Sequence, residues 1–227
     1  MNVNVKKSSL KYQIAEAVRK EIFRGVLKPG DKVTETVIAQ KFEVSRGPVR
    51  EAMQILVMEG LLVSTTFKET RVSQITTEEV TDLLVPMRVN LETFALKKGF
   101  PSWNKELFQQ FDDILEKMRR ASIFDDLPLF NDVDIQFHEL IVLSSKMNNV
   151  VHLWESILNR IRLHFIYQNS LSDDLHQYTE DHRVLLDSFK SGDVDAAVKQ
   201  LEDHLIKTNK TRAELLPDLT NTSQNRE

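Results

Sequence analysis

The chain of 227 residues contains no cysteine. That excludes disulfides and thiolate metal sites and fits a reducing, cytoplasmic setting. No uninterrupted apolar run approaches the roughly 18 residues that a membrane span requires, so no membrane partner is expected. The N-terminal stretch MNVNVKKSSLKYQIAE has no apolar h-region, and no signal peptide is expected. There is no internal repeat and no low-complexity tract. What is present is ordinary for a soluble globular protein: 41% hydrophobic and 28% charged residues, in a chain long enough for two modest domains. The net charge of −4 is unevenly spread. Residues 1–75 carry 13 Lys+Arg against 8 Asp+Glu, a net of +5, while the remainder carries 17 against 26, a net of −9. A basic front and an acidic back suggest that only the front meets phosphates.

Hydrophobic periodicity predicts a helix over 9–25, closed by Gly25. Lys28-Pro29-Gly30-Asp31 marks a turn. Thr34 can cap a helix over 35–42. Glu43-Val44 then makes a tight turn, and Ser45 is the natural N-cap of a second helix that Gly60 ends. Pro48 sits in the first turn of that helix, where its missing N–H costs nothing. Ser45 Oγ is therefore expected to accept from the Gly47 N–H. Val49, Ala52, Met53, Leu56 and Val57 form its buried stripe. Residues 61–65 and 70–73 read as two short strands of a hairpin.

The second helix opens Ser45-Arg46-Gly47-Pro48-Val49-Arg50. Arg46 and Arg50 are one turn apart and project to the same side. A major groove admits one helix, whose N-terminal residues face the base edges, and arginine pairs bidentately with guanine O6 and N7. Ser45, Gly47 and the helix N-terminus suit phosphate contact or close backbone approach. Thr36 and Lys41 are further phosphate candidates.

The segment KPGDKVTETVIAQKFEVSRGPVREAMQILVMEGLL resembles the winged-helix domain of the GntR family of bacterial transcription regulators. The match runs through Pro29-Gly30, Glu35, Ile38-Ala39, Val44-Ser45-Arg46, Pro48-Val49-Arg50-Glu51-Ala52, Leu56 and Glu59-Gly60-Leu61. The resemblance implies DNA binding by Thr36, Ser45, Arg46, Gly47, Pro48 and Arg50. Two departures stand out. Glu43 replaces the family's usual glycine before Val-Ser. The wing tip, usually Arg-Gly, is Lys68-Glu69, with Thr66 for the usual proline, which leaves Lys68 as the wing's candidate contact.

From Thr76 the pattern changes to long helices. Thr76-x-x-Glu79 is a capping box that starts a helix to about Lys98, with Pro86 as a kink. Five more helices are expected, at about 104–121, 127–144, 149–168, 174–190 and 194–213, joined by short loops as an antiparallel bundle. Residues 217–227 read as a frayed tail. Three of the apolar stripes carry polar interruptions: Asp134 and His138 one turn apart, His182, and His204. Such residues are costly in a core unless paired or ligating a metal. One carboxylate and three imidazoles suit a divalent ion, and Zn, Ni, Mn or Fe would all serve. Satisfied core histidines are the alternative. His152, His164 and His176 show no such arrangement.

The motifs Arg88-x-x-x-Glu92, Asp134-x-x-Phe137-His138, Asn149, Asp181-His182-Arg183, Gly192-Asp193 and His204-Leu205 are similar to the FCD ligand-binding domain of the FadR subfamily. Six helices point to its shorter, VanR-like branch. The resemblance implies that Asp134, His138, His182 and His204 hold the metal and that arginines hold a small carboxylate effector; Arg88 and Arg162 are the candidates. Acyl-CoA-binding members lack these ligands, which disfavours a fatty acyl effector. The expectation is thus a mainly α protein. Its N-terminal winged helix-turn-helix (1–75) has three helices plus a β-hairpin, and it is joined to an antiparallel six-helix bundle (76–216) that binds the effector and dimerises. The implied function is a homodimeric repressor on a near-palindromic operator, released by a small organic acid. A metalloregulator sensing the ion itself and a metal-dependent enzyme are the rival readings.

Overall fold

The computed structural model describes residues 9–64, 69–169 and 174–213. Two compact units, Met1–Gln74 and Ile75–Glu227, divide the chain. In the first unit, α1 (Leu10–Phe23), α2 (Glu35–Lys41) and α3 (Arg46–Met58) surround a core of Ile14, Val18, Ile22, Ile38, Val49 and Leu56. α1 closes as expected: Gly25 takes a φ of 71°, and the N–H groups of Gly25 and Val26 bond back to Ile22 and Glu21. Thr34 caps α2, its Oγ1 accepting from the Val37 N–H at 3.3 Å.

The hairpin is part of a larger sheet than the sequence suggests. β2 (Leu62–Ser64) and β3 (Thr70–Val72) pair antiparallel, Val63 opposite Arg71, and β1 (Lys32–Val33) pairs with the other edge of β3. The order is β1-β3-β2. Two residues after a Pro-Gly turn are too short a run for periodicity to reveal; β1 exists because β3 offers it a template.

The turn between α2 and α3 places Glu43 at a φ of 54°. The Val44 N–H bonds to the Ala39 carbonyl at 3.0 Å, so Glu43 occupies the left-handed position where a helix end favours glycine.

Among its described residues the second unit has six α-helices: α4 (Val85–Gly99), α5 (Lys105–Ile123), α6 (Leu127–Ser144), α7 (Asn148–Asn169), α8 (Leu175–Lys190) and α9 (Val194–Ala213). Asn104, Asp126 and Asp174 cap α5, α6 and α8 through their side chains. The Thr76 hydroxyl accepts from the Glu79 N–H at 3.1 Å, one half of the expected capping box, while the Glu79 carboxylate accepts from Arg160 Nε at 2.7 Å. Pro86 sits in the first turn of α4 rather than inside one continuous α-helix. A π-helical stretch over Glu79–Leu84 precedes it, and the Val85 N–H bonds five residues back to Val80. The wider turn absorbs the missing proline N–H.

α4 packs on α6 and α9, and α5 on α6 and α8. Leu96, Phe111, Phe137, Ile141, Leu186 and Phe189 form one buried cluster, and Ala95, Ile135, Trp154, Ile161 and Phe165 another. Gly99 permits the approach of α4 to α6: a Cβ there would lie 2.4 Å from Ser144 Oγ and 2.7 Å from its carbonyl oxygen. No described helix is long and apolar enough to cross a membrane.

Replacing Glu43 with glycine should relieve about 1–2 kcal/mol of left-handed strain against about 0.4–1 kcal/mol of added unfolded-chain entropy. Slower hydrogen exchange of the buried α2 and α3 amides is the expected outcome.

Candidate functional site

α3 buries Val49, Ala52 and Leu56, and this fixes which face it shows to solvent. On the opposite side Arg46, Arg50 and Gln54 follow at four-residue spacing, all exposed. They border a groove of about 980 Å³ that Glu35, Val57, Met58, Ser64 and Thr70 also line. Val57 therefore faces the groove rather than the core, at 37% exposure. Arg50 Nε donates to Glu35 Oε1 at 3.1 Å, which steadies the guanidinium. Gln54 and Glu35 are the residues that sequence reasoning missed here. Gln54 was one helical turn beyond Arg50, and glutamine can pair bidentately with adenine.

The N-terminus of α3 corrects one expectation. Ser45 has N-cap geometry, but its hydroxyl makes no capping hydrogen bond. Pro48 occupies the position whose N–H such a cap most often uses, and the Gly47 N–H is not substituted for it. Gly47 is exposed, and a Cβ there would meet nothing within 4 Å, so another backbone can come close. Thr36 is exposed in the first turn of α2. Lys41 pairs with Glu21 at 2.6 Å. Lys68 lies outside the described residues.

In the helical unit, Asp134 and His138 on α6, His182 on α8 and His204 on α9 converge inside the bundle, each less than a tenth exposed. One nitrogen from each imidazole lies within 4.8 Å of the others. Asp134 Oδ1 approaches His138 Nε2 at 3.4 Å and His182 Nε2 at 3.3 Å. The outer nitrogens are held: His182 Nδ1 by the Tyr178 carbonyl at 2.8 Å and His138 Nδ1 by Glu92 Oε2 at 2.6 Å. Glu92 Oε1 in turn accepts from Arg88 Nε at 2.8 Å. Metal-binding histidines are oriented in this way.

The donor set fits a metal. Among the described residues Asp134 Oδ1 and His182 Nε2 are buried with no hydrogen-bond partner, and so is Arg88 Nη2, an arrangement that costs free energy unless a ligand meets them. Electrostatics agrees. Burial alone would raise the Asp134 carboxyl, but the His182 and His138 imidazoles outweigh it and hold it well below the usual range. Burial likewise would raise Glu92, and Arg88 and His138 reverse that. Burial would lower His138; Glu92 and Asp134 carry it above the ordinary value. Burial, then His182 and His138, push His204 well down, leaving a neutral imidazole able to donate a lone pair.

Arg88 is 2% exposed, its guanidinium carbon 5.3 Å from the Phe165 ring centroid and 5.8 Å from that of Trp154. Arg162 is placed differently, in an ion pair with Asp132 on α6. His164, which the sequence left without a role, is buried with its Nε2 3.0 Å from Asn209 Oδ1.

Residues 83–207 match the sequence model of the FCD domain, and residues 10–72 match that of the bacterial regulatory proteins of the gntR family. The chain belongs to the GntR family. It is a transcription regulator, not an enzyme, with a DNA-binding winged helix and an FCD domain of the kind that takes a small-molecule ligand. This GntR-family chain is 27% identical over 194 residues to the HTH-type transcriptional regulator YdhC of Bacillus subtilis (strain 168), covering 85% of this chain and 86% of that one. It is 25% identical over 207 residues to the gluconate operon transcriptional repressor of Bacillus licheniformis, covering 87% and 83%. A GntR transcriptional regulator from Rhodococcus sp. RHA1 shares its fold, with a TM-score of 0.78 at 24% identity over 90% of this chain and 96% of that one.

Arg46→Ala and Arg50→Ala should each cost roughly 1–3 kcal/mol of operator binding and relax base preference at one position. Footprints and affinities unchanged in both variants would remove α3 as the reading helix.

Proposed function

We propose that this GntR-family regulator is a homodimeric repressor that binds a near-palindromic operator and leaves it when a small organic acid enters the helical domain. The observation that carries this reading is the meeting of three imidazoles, His138, His182 and His204, with Asp134 against two of them and a buried arginine in the chain Arg88–Glu92–His138. Repression is also what the name of the Bacillus licheniformis relative states of that protein.

Two copies of α3 would address two half-sites, Arg46 and Arg50 meeting base edges while Ser45, Gly47, Pro48 and Thr36 approach the backbone. In the bundle, Asp134, His138, His182 and His204 would hold a divalent ion of the zinc, nickel, manganese or iron class. Such an ion supplies a positive centre for a carboxylate oxygen. Arg88 Nη2, buried and without a partner, supplies a second anchor for the same carboxylate. That favours an organic acid over the ion itself as the signal, because sensing the ion would leave the guanidinium unused. Arg162 would act at most from the rim, since Asp132 engages it. The three ligating helices α6, α8 and α9 and the arginine-bearing α4 all touch the site. An effector therefore biases the bundle by its differential affinity for two arrangements of these helices.

Replacing His182 with leucine should reduce bound metal per protomer to near zero while operator affinity without effector changes by less than about threefold, under 1 kcal/mol. Metal analysis and binding isotherms check this. Wild-type stoichiometry in the variant would overturn the metal centre.

A further inference from the structure

Glu92 touches neither solvent nor the inner face of the cluster. It is 0% exposed on α4 and spends both carboxylate oxygens on other side chains, Oε1 on Arg88 Nε at 2.8 Å and Oε2 on His138 Nδ1 at 2.6 Å. A neutral imidazole has one N–H, and the partner of one nitrogen decides which nitrogen carries it. Arginine can only donate, so it faces an acceptor. An ionised carboxylate has no hydrogen to give, so His138 Nδ1 must be the donor to Oε2. The lone pair then resides on Nε2, the nitrogen 3.4 Å from Asp134 Oδ1 on the side of the cluster.

We infer that Glu92 is a positioning residue that fixes the His138 tautomer, so that Nε2 is presented as a ligand atom before any ion arrives. The inference rests on the proposed metal reading of Asp134, His138, His182 and His204. Arg88 is part of the device. By occupying Oε1 it sets which end of residue 92 faces His138, and the Phe165 and Trp154 rings pack against its guanidinium. The orienting partner of His182 is of a different kind, the Tyr178 carbonyl on its own helix at 2.8 Å. His138 takes its orientation from another helix, and that helix also carries Arg88. Glu92 thereby joins the two halves of the site.

Glu92→Gln tests this with almost no change of shape. Arg88 would hold the amide oxygen, so the amide N–H₂ would face His138 Nδ1. That nitrogen would have to accept, and the ring hydrogen would move to Nε2, capping the ligand atom. In full-length protein stripped of metal and labelled with ¹⁵N-histidine, long-range ¹H–¹⁵N spectra recorded at a pH high enough for the ring to be neutral should place the His138 hydrogen on Nδ1 in the wild type and on Nε2 in the variant. The affinity for Zn²⁺ alone should fall about 10–100-fold, while helical content is retained. A hydrogen on Nε2 in the wild type overturns the inference, whatever the variant does and even if the variant fails to fold. Equal Zn²⁺ affinity in a folded variant also overturns it. Wild-type protein that binds no Zn²⁺ overturns the metal reading instead, and the tautomer spectra still decide the part played by Glu92.

Discussion

An ionised carboxylate survives in an apolar bundle only if cations and donors close around it, and Glu92 is where this constraint is felt most. Its two oxygens bind a guanidinium and an imidazole. Breaking a buried pair by deleting one partner typically costs about 3–5 kcal/mol, whereas replacing a whole ionic set with well-packed apolar residues is often neutral or stabilising. Stability alone therefore gives no reason to bury Arg88, Glu92, Asp134 and three histidines among Phe137, Leu186 and Leu205. A site does. The surrounding clusters keep water out, and that strengthens every charge interaction inside.

The winged unit solves the opposite problem. Its charges lie at the surface, where hydration costs are small, and the core beneath α3 serves to hold a rotation. Val49, Ala52 and Leu56 turn inward and leave Arg46, Arg50 and Gln54 in one exposed row. The Glu35–Arg50 pair is 34% and 63% exposed at its two side chains. Such a pair contributes little to stability. It can still narrow the orientations of a long side chain. The excess of positive charge in residues 1–75 points the same way: attraction for phosphate is confined to the half of the chain that presents these arginines.

Much of this was legible in the residues. Helix limits at Leu127–Ser144 and Val194–Ala213 follow from capping and period, because long amphipathic runs between clear stops leave few alternatives. The convergence of Asp134 with His138, His182 and His204 was legible for a related reason: a lone polar residue on an apolar stripe is conspicuous when several stripes each carry one. What escaped depends on partners distant in sequence. β1 is two residues long and exists only against β3. Pro86 reads as a kink, yet a π-helical turn upstream accommodates it. His164 has no local signature, and its partner Asn209 is 45 positions away. Glu92 stood in a recognised motif with Arg88, but its bond to His138 crosses 46 positions and joins helices whose pairing periodicity cannot specify.

The unmet atoms of the bundle give a physical basis for responding to a ligand. Asp134 Oδ1, His182 Nε2 and Arg88 Nη2 are shielded from water without a hydrogen-bond partner among the described residues. Each such group costs on the order of 1–3 kcal/mol in the unliganded state. A ligand that meets them recovers that free energy in addition to its own contacts, so affinity and conformational preference have a common origin. The groups that stand to gain belong to α4, α6 and α8. α4 emerges from a π-helical turn and is drawn onto α6 at Gly99, where no side chain could fit. Helices held so closely can shift only together, because a packed interior deforms between discrete arrangements rather than continuously. The free energy of binding at three buried atoms is thereby available to move whole helices.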